Sequence, residues 1–413
     1  AFTILATDCR QPDIVVGARH DSPLVVGLGE GENFLGSDVA AFVAYTKRAM
    51  EIDQDQAVMV SADKVVVSDF MGNIVPDPKT YIVDWDASAA EKGGWDSFMD
   101  KEIHEDPAAV QRTLLGRLDE NGNINLDEVR IDEHDFKAID KIIVIACGTA
   151  AYAGMVAKYA IEHWVRIPVE VELAHEFRYR DPILTPRTLV VAISQSGETM
   201  DTLMALRHAR EQGSKVLAIC NTQGASIPRE SDAVLYTHAG PEVAVASTKA
   251  FVAQITAAYV LGLYLAQVKG AMYRDEIAQT LDSLKDMPRK IQWVLDTQTK
   301  TVQEAAKQMV DAKSFLFLGR HVGYPVAMEG ALKLKEIAYT FTEGFAAGEL
   351  KHGPIALVDE GEPVVFIVPP ATELPTPTGT GMDSPVSMEA STLDAPFVTT
   401  PSTGIRPPGF TCR

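Results

Sequence analysis

A turn rich in hydroxyl groups follows a short apolar run in the middle of the chain. Residues 189–193 are apolar, the turn reads Ser194-Gln195-Ser196-Gly197-Glu198-Thr199, and a helical pattern continues to residue 209. A strand, a glycine turn and a helix start bring backbone N–H groups, hydroxyls and the positive end of the helix dipole around one volume. That volume suits a phosphate monoester. The alternative is a capping turn with Ser194 or Ser196 as the N-cap.

Two further segments carry candidate polar groups. Cys147-Gly148-Thr149 also lies between a predicted strand and a predicted helix. It therefore belongs to the same edge of the sheet, where open α/β folds bind ligands. Thr149 can offer a hydroxyl or a backbone N–H there. Cys147 is interpreted as a small packed residue rather than a nucleophile, because no cationic neighbour in the sequence would activate its thiol.

A third candidate is the helix predicted over residues 327–339. Glu329, Lys333 and Glu336 share one face, and their spacings of four and three allow ion pairs worth about 0.3–0.5 kcal/mol each. The pattern alone favours a solvated face over an acid–base site. His352 follows in a predicted turn, where an imidazole is either an acid–base group or merely exposed.

Composition limits the classes of partner. The chain has 413 residues, with 57 acidic against 37 basic side chains and a net charge of −20. This balance disfavours nucleic acid and anionic membranes as partners, so a phosphate ligand needs a local site. The four cysteines are Cys9, Cys147, Cys220 and Cys412. Because none of them has CxxC spacing, we predict reduced thiols and a cytoplasmic protein. No cofactor or metal is predicted.

The elements that must position these residues differ along the chain. Residues 1–85 have the spacing of short strands, and an acidic stretch at 119–135 is typical of a linker. Beyond residue 138, apolar β-branched runs alternate with helical segments, which predicts a parallel sheet covered on both faces. The apolar stretch 250–266 carries Gln254 and follows Lys249, so a buried helix is favoured over a membrane span.

The α/β part of the chain repeats itself. Residues 143–178 resemble residues 315–351 with an offset of 171 to 173, which predicts two α/β units in tandem. Residues 363–368 match the strand before the hydroxyl turn, and the apolar period then stops. Residues 371–413 are rich in Thr, Pro, Ser and Gly. They are interpreted either as an unstructured natural tail or as a reading-frame change or chimeric end.

Over about residues 1–370 the chain resembles the glucosamine-6-phosphate synthase family, which comprises the isomerising glutamine:fructose-6-phosphate amidotransferases. The runs that carry the resemblance are 22–29, 32–38, 146–149, 176–180, 194–199, 245–251, 329–336 and 348–354. The resemblance implies an α/β fold with tandem SIS-type doubly wound parallel sheets, the second incomplete. The C-terminal half of an N-terminal-nucleophile hydrolase (glutaminase) domain precedes them. The implied segments are 1–85 (partial glutaminase), 86–137 (linker), 138–270 (first SIS domain), 271–305 (helical linker), 306–370 (partial second SIS domain) and 371–413 (divergent tail).

The resemblance also implies roles for individual residues. The substrate-binding set is Thr149, Ser194, Gln195, Ser196, Thr199, Val245 and Ser247, with Asp38 holding the α-amino group of glutamine. Glu336 matches the base that moves a proton between C1 and C2, and Lys333 matches a second site residue. His352 matches a histidine that assists ring opening from the neighbouring subunit, which implies a homodimer. Ala150 departs from a serine that many members carry.

The implied function is synthesis of glucosamine 6-phosphate from fructose 6-phosphate and glutamine, the first step of hexosamine synthesis. The family's nucleophilic cysteine and its Schiff-base lysine have no match in this sequence, so we expect the chain as printed to be inactive in the full reaction. The alternative is a non-catalytic, phosphosugar-binding SIS regulatory module.

Overall fold

The computed structural model describes residues 2–83, 91–117, 123–126, 128–359 and 361–369. They fall into two compact units, Ala1–Trp293 and Val294–Arg413.

The first unit begins with two four-stranded antiparallel sheets, ordered β1-β2-β6-β7 and β4-β3-β5-β8. Their strands are β1 (Phe2–Asp8), β2 (Gln11–His20), β3 (Val25–Leu28), β4 (Asn33–Gly36), β5 (Arg48–Glu51), β6 (Gln56–Val60), β7 (Val65–Asp69) and β8 (Thr80–Ile82). Val26, Ile52 and Val58 pack in a core to which both sheets contribute. The strands predicted for this region are confirmed, and its assignment to a hydrolase-type domain stays a prediction.

Two arginine side chains join these antiparallel sheets to the rest of the first unit. The guanidinium of Arg19 is 2% exposed and donates to the carbonyl of Ile52 at 3.0 Å and to Ser226 Oγ at 3.1 Å. Arg207 contacts Asp21 at 3.3 Å and Glu230 at 2.7 Å. Buried and half-buried polar contacts therefore connect the sheets to the α/β fold that follows.

The segment predicted to be a linker contains helices within its described residues. They are α1 (Phe98–His104), α2 (Asp106–Leu114) and α3 (Glu133–Ala138). Ala109 of α2 packs against Ala239 and Ala253. Thr113 Oγ1 donates to the carbonyl of Thr237 at 2.6 Å. Helix α2 is thus packed into the first unit, whereas the sequence predicts a linker here.

A five-stranded parallel sheet forms the centre of the first unit, in the order β10-β9-β11-β12-β13. Its strands are β9 (Lys141–Ala146), β10 (Val169–Leu173), β11 (Thr188–Ser194), β12 (Lys215–Cys220) and β13 (Ala233–Tyr236). Its helices are α4 (Gly148–Val165), α5 (Ala174–Phe177), α6 (Met200–Glu211), α7 (Ser226–Glu230) and α8 (Lys249–Lys269). Alternate residues of β9 enter two separate cores, which confirms a sheet covered on both faces.

Helix α8 contains the apolar stretch that the sequence marks out. By length and composition it could cross a membrane, but 61% of its apolar stretch of 18 residues is buried inside the structure. Gly262 allows a close approach to α4, because a Cβ at this position would lie 2.8 Å from Ile161. The prediction of a buried helix over this stretch is confirmed.

Helix α9 (Arg274–Gln308) contains the boundary between the units. The second unit has a parallel sheet of order β15-β14-β16 among the described residues, the same order as β10-β9-β11 in the first. Its elements are β14 (Ser314–Gly319), α10 (Gly323–Ala338), β15 (Phe341–Ala346), β16 (Val364–Ile367) and the short 3-10 helices Ala347–His352 and Pro354–Leu357. This matching order supports the predicted repeat. Residues 371–413 lie outside the described residues.

Candidate functional site

A cavity of about 170 Å³ lies at the carboxyl edge of the first parallel sheet. It is lined by Cys147, Thr149, Ala150, Ile193, Ser194, Gln195, Ser196, Thr199, Ser247 and Gln254. Six of the predicted substrate-binding residues therefore meet in one cavity. Val245 and Asp38 do not line it.

The hydroxyl turn is held in shape by its own hydrogen bonds. Ser194, the last residue of β11, is buried, accepts from the Gly197 N–H at 3.0 Å and lies 3.1 Å from Thr199 Oγ1. Ser196 Oγ accepts from the Glu198 N–H at 3.2 Å. Helix α6 begins only after these residues, and its N-cap, Thr199, makes no side-chain capping bond. The alternative in which Ser194 or Ser196 caps the helix is therefore wrong.

Gly197 is required at the centre of the turn. Its φ of +69° lies in the left-handed region, which residues with a Cβ rarely adopt. A Cβ there would lie 2.6 Å from the Cβ of Ala225 and 2.8 Å from Cys220 Sγ. The turn can follow this path only with glycine.

Two helices begin at the cavity wall. Cys147 is the N-cap of α4, and Thr149 and Ala150 are in its first turn, while Thr199 is the N-cap of α6. The first N–H groups of a helix have no partner within the helix, and the dipole makes this end positive. Both helices thus direct positive potential toward the cavity. Cys147 is half-buried and lines the cavity, and its Sγ lies 3.9 Å from Thr202 Oγ1.

The loop before α8 is shaped by two carboxylates that sequence reasoning missed. Glu242 accepts from Ser247 Oγ at 2.9 Å and from the N–H groups of Thr248 and Ala250. Glu102 Oε1 accepts from the Val243 N–H at 2.6 Å and from the next N–H at 3.1 Å. Nothing in the sequence near Glu102 signals this role, since the residue is 141 positions from Val243.

The loop's conformation corrects one predicted residue. Val245 is 98% exposed, whereas Ser247 lines the cavity. The backbone bonds to Glu102 and Glu242 hold the loop so that the valine side chain faces solvent. A substrate role for the side chain of Val245 is therefore not supported by its placement.

Buried acidic groups surround this loop. Burial raises the pKa of Glu102, and burial together with the nearby Glu242 charge raises the pKa of Asp106 to about 7. Lys249 is 1% exposed and pairs with Glu105 at 2.5 Å. The first unit thus places carboxylates around the loop before α8, while none of the ten residues that line the 170 Å³ cavity is acidic.

Asp38 lines a different cavity of about 260 Å³, also within the first unit. Its Oδ1 accepts from the Ala40 N–H at 2.7 Å and caps the 3-10 helix Val39–Ala41. Gln195 lines this cavity as well as the first one. Whether Asp38 binds glutamine stays a prediction.

In the second unit the predicted ion pairs are present. Lys333 Nζ lies 3.3 Å from Glu329 Oε1 and 2.7 Å from Glu336 Oε2. Glu329 is only 6% exposed, so the expectation of a fully solvated face is wrong at this position. The first turns of α10 are buried around Ala327 and Ala331, and this burial includes Glu329. Glu336 and His352 are exposed, and His352 ends a short 3-10 helix.

Within the described ranges, no group of three or more His, Cys, Asp or Glu side chains is placed to hold a metal ion. Cys9, Cys147 and Cys220 are free thiols, and Cys412 lies outside the described residues. Burial raises the pKa of the Cys220 thiol to about 12, so this sulfur packs in the core as a neutral group.

Comparison with known proteins identifies relatives of both units. The family model described as SIS domain matches residues 136–264 and 308–374. The glutamine–fructose-6-phosphate aminotransferase (isomerizing) of Corynebacterium efficiens is 67% identical over 369 residues, which cover 89% of this chain and 59% of that protein. The protein of the same name from Mycobacterium tuberculosis is 57% identical over 372 residues, again covering 89% of this chain and 59% of that protein. The chain thus spans 59% of the length of these curated relatives.

Solved structures give the same picture. The C-terminal domain of glucosamine-fructose-6-phosphate aminotransferase from Francisella tularensis superposes with a TM-score of 0.65 at 42% identity, covering 68% of this chain and 78% of that one. Glucosamine-6-phosphate deaminase from Thermotoga maritima superposes with a TM-score of 0.52 at 23% identity, covering 65% and 76%, and shows likeness of fold alone. The predicted SIS-type α/β fold with parallel sheets is confirmed.

Proposed function

Because the chain belongs to the glutamine–fructose-6-phosphate aminotransferase (isomerizing) family, we propose that its first unit binds fructose 6-phosphate in the cavity at the ends of β9 and β11. The observation that carries this proposal is the meeting of Ser194, Gln195, Ser196 and Thr199 in one cavity beside two helix N-termini. The phosphate lies against the hydroxyl turn, and the sugar extends toward Thr149 and Ser247.

The electrostatics of the cavity favour an anion although the chain as a whole repels one. With a net charge of −20, attraction for phosphate has to be local. Two helix N-termini supply it, the lining includes four hydroxyl-bearing residues besides Thr149, and no lining side chain is acidic. Hydrogen bonds to a charged group contribute about 1.5–3 kcal/mol each, so a few of them are enough for specific binding.

The acid–base chemistry is assigned to the second unit by the resemblance. Glu336 accepts the proton from C1 of the open-chain sugar and returns it at C2, and His352 assists ring opening. Lys333, 2.7 Å from Glu336 Oε2, orients that carboxylate. The full reaction uses glutamine as the nitrogen donor and yields glucosamine 6-phosphate. A homodimer, in which His352 serves the neighbouring subunit, and a cytoplasmic location are parts of the same proposal.

Binding is tested by replacing Ser196 and Thr199 together with alanine. We expect the affinity for glucosamine 6-phosphate, measured by calorimetry, to fall by tenfold or more, on the order of the 1.5–3 kcal/mol carried by one charge-assisted bond. Ser283→Ala is the matched control, since its hydroxyl lies on the exposed face of α9 and bonds only within the helix. Equal affinity in the double variant and the parent chain would contradict the assignment.

Proton transfer is tested separately by incubating fructose 6-phosphate with the purified chain in D₂O. We expect NMR to show deuterium entering at C1, and Glu336→Gln to lower this rate by about 10²–10⁴-fold, the usual contribution of a general base. Tight binding by the parent chain without any exchange would instead favour the non-catalytic phosphosugar-binding module.

A further inference from the structure

Gln254 is the one polar side chain that α8 contributes to the lining of the cavity. It is 2% exposed, and its Oε1 atom is buried without a hydrogen-bond partner in the described structure. On the same helix its neighbours Ala250, Ala253 and Ala257 are buried and apolar. The carboxamide thus lies in the cavity wall among apolar neighbours, and its oxygen is buried without a partner.

An unpaired buried amide is unfavourable. The great majority of buried polar atoms in proteins have a partner, and leaving one without costs about 1–3 kcal/mol. Gln267, on the same helix, shows the usual arrangement, because it accepts from the Ile124 N–H at 2.9 Å and donates to the carbonyl of Ile124 at 3.0 Å. Of the two glutamines of α8, the one that lines the cavity is therefore the one whose side-chain oxygen has no partner.

We propose that the Gln254 carboxamide binds a hydroxyl group of the sugar and selects polyhydroxylated phosphate esters over phosphate itself. This inference rests on the proposed function, because it requires a phosphosugar in the cavity. An amide oxygen accepts a hydrogen bond, and each hydroxyl of a sugar can donate one, whereas the ionised phosphate group of the ester has only acceptor oxygens. The hydroxyl turn at 194–199, on a different element, already provides donors for the phosphate.

The test replaces Gln254 with methionine, which keeps the length of the side chain and removes its hydrogen bonds. We expect the calorimetric affinity for fructose 6-phosphate to fall by about tenfold, while the affinity for inorganic phosphate does not change. The melting temperature of the free protein should stay equal or rise, because an unpaired buried amide is gone. Gln254→Leu repeats the measurement with a different shape, so that a folding defect in one variant does not decide the result.

Gln267→Met is the matched control. It removes two formed hydrogen bonds far along the same helix, so we expect a lower melting temperature and an unchanged affinity for both ligands. Unchanged affinity for fructose 6-phosphate in the Gln254 variants, or an equal loss for fructose 6-phosphate and inorganic phosphate, would overturn the inference.

The Ser196 and Thr199 double variant separates the two proposals. If it loses affinity while Gln254→Met does not, the proposed function stands and only the role of Gln254 is wrong. If the parent chain binds no phosphosugar, both proposals are overturned.

Discussion

The three described strands of the second parallel sheet follow the same order as three strands of the first, but the two sheets carry different polar groups. In the first unit, β11 leads into the hydroxyl turn and the N-terminus of α6. In the second unit, the corresponding strand β16 leads into Val368 and Pro369, and proline has no N–H to donate. The second unit instead carries Glu329, Lys333 and Glu336 on α10, the counterpart of α4.

This difference shows how one strand-and-helix frame can serve two kinds of chemistry. Where the turn after a strand supplies hydroxyls and N–H groups, the sheet edge can hold an anion. Where the helix face supplies paired charges, the same frame holds groups that can move a proton. In the first unit the carboxylates lie on α1, α2 and the loop before α8, and two of them, Glu102 and Glu242, accept hydrogen bonds that shape that loop.

The largest change in stability should come from substitution of Asp106, one of these carboxylates of the first unit. Its pKa is about 7 in the folded chain against 3.8 ordinarily, because burial disfavours the charged form. The stabilising contribution of the neutral carboxyl is complete below pH 3.8, falls as pH rises, and is lost above pH 7. Asp106→Asn, neutral at every pH, should therefore be more stable than the parent chain at pH 8 by on the order of 4 kcal/mol, and little different near pH 4.

Urea denaturation at the two pH values, followed by tryptophan fluorescence, measures this difference. Asp275→Asn, on the exposed start of α9, is the control and should behave like the parent chain at both. A stability difference between Asp106→Asn and the parent that does not change with pH would show that Asp106 is not held neutral.

The next largest change in stability is expected in the hydroxyl turn at 194–199 of the first unit. Gly197→Ala puts a Cβ in a left-handed conformation and in contact with Ala225 and Cys220, so we expect a loss of about 3 kcal/mol of stability. Binding of glucosamine 6-phosphate should be lost with it. Gly213→Ala is the matched control, because its φ is +84° but nothing lies within 4 Å of its Cβ. Equal denaturation midpoints for the two variants would show that the close packing at Gly197 has little energetic weight.

The smallest change in stability is expected when the ion pairs on α10 of the second unit are broken. Lys333→Ala removes the cation shared by the carboxylates of Glu329 and Glu336, one buried and one partly exposed, and should lower stability by about 1–2 kcal/mol. Lys285→Ala breaks an exposed pair with Asp282 and should change stability by less than about 0.5 kcal/mol. If both variants denature at the same urea concentration, the α10 pairs are no stronger than surface pairs.

Some of the site could be predicted from the sequence and some could not, for physical reasons. The turn at 194–199 was predictable because its strand, glycine and helix start are local signals within about twenty residues. The exposure of Val245 was not, because Glu102 on a distant helix holds that loop. Glu329 was expected to face solvent from helical spacing alone, and only the packing of α10 shows that it is buried. Gln254 had no local signal beyond being polar in an apolar stretch.

The buried guanidinium of Arg19 has a consequence for how the first unit unfolds. It donates both to Ile52, within the antiparallel sheets, and to Ser226, at the start of α7 in the α/β fold. Opening either side would leave a charge, 2% exposed, without half of its acceptors. The sheets and the α/β fold should therefore lose structure cooperatively, in one calorimetric transition. Cleavage of the chain between residues 83 and 91 would separate two segments with different sequence patterns. These two segments nevertheless form one cooperative unfolding unit.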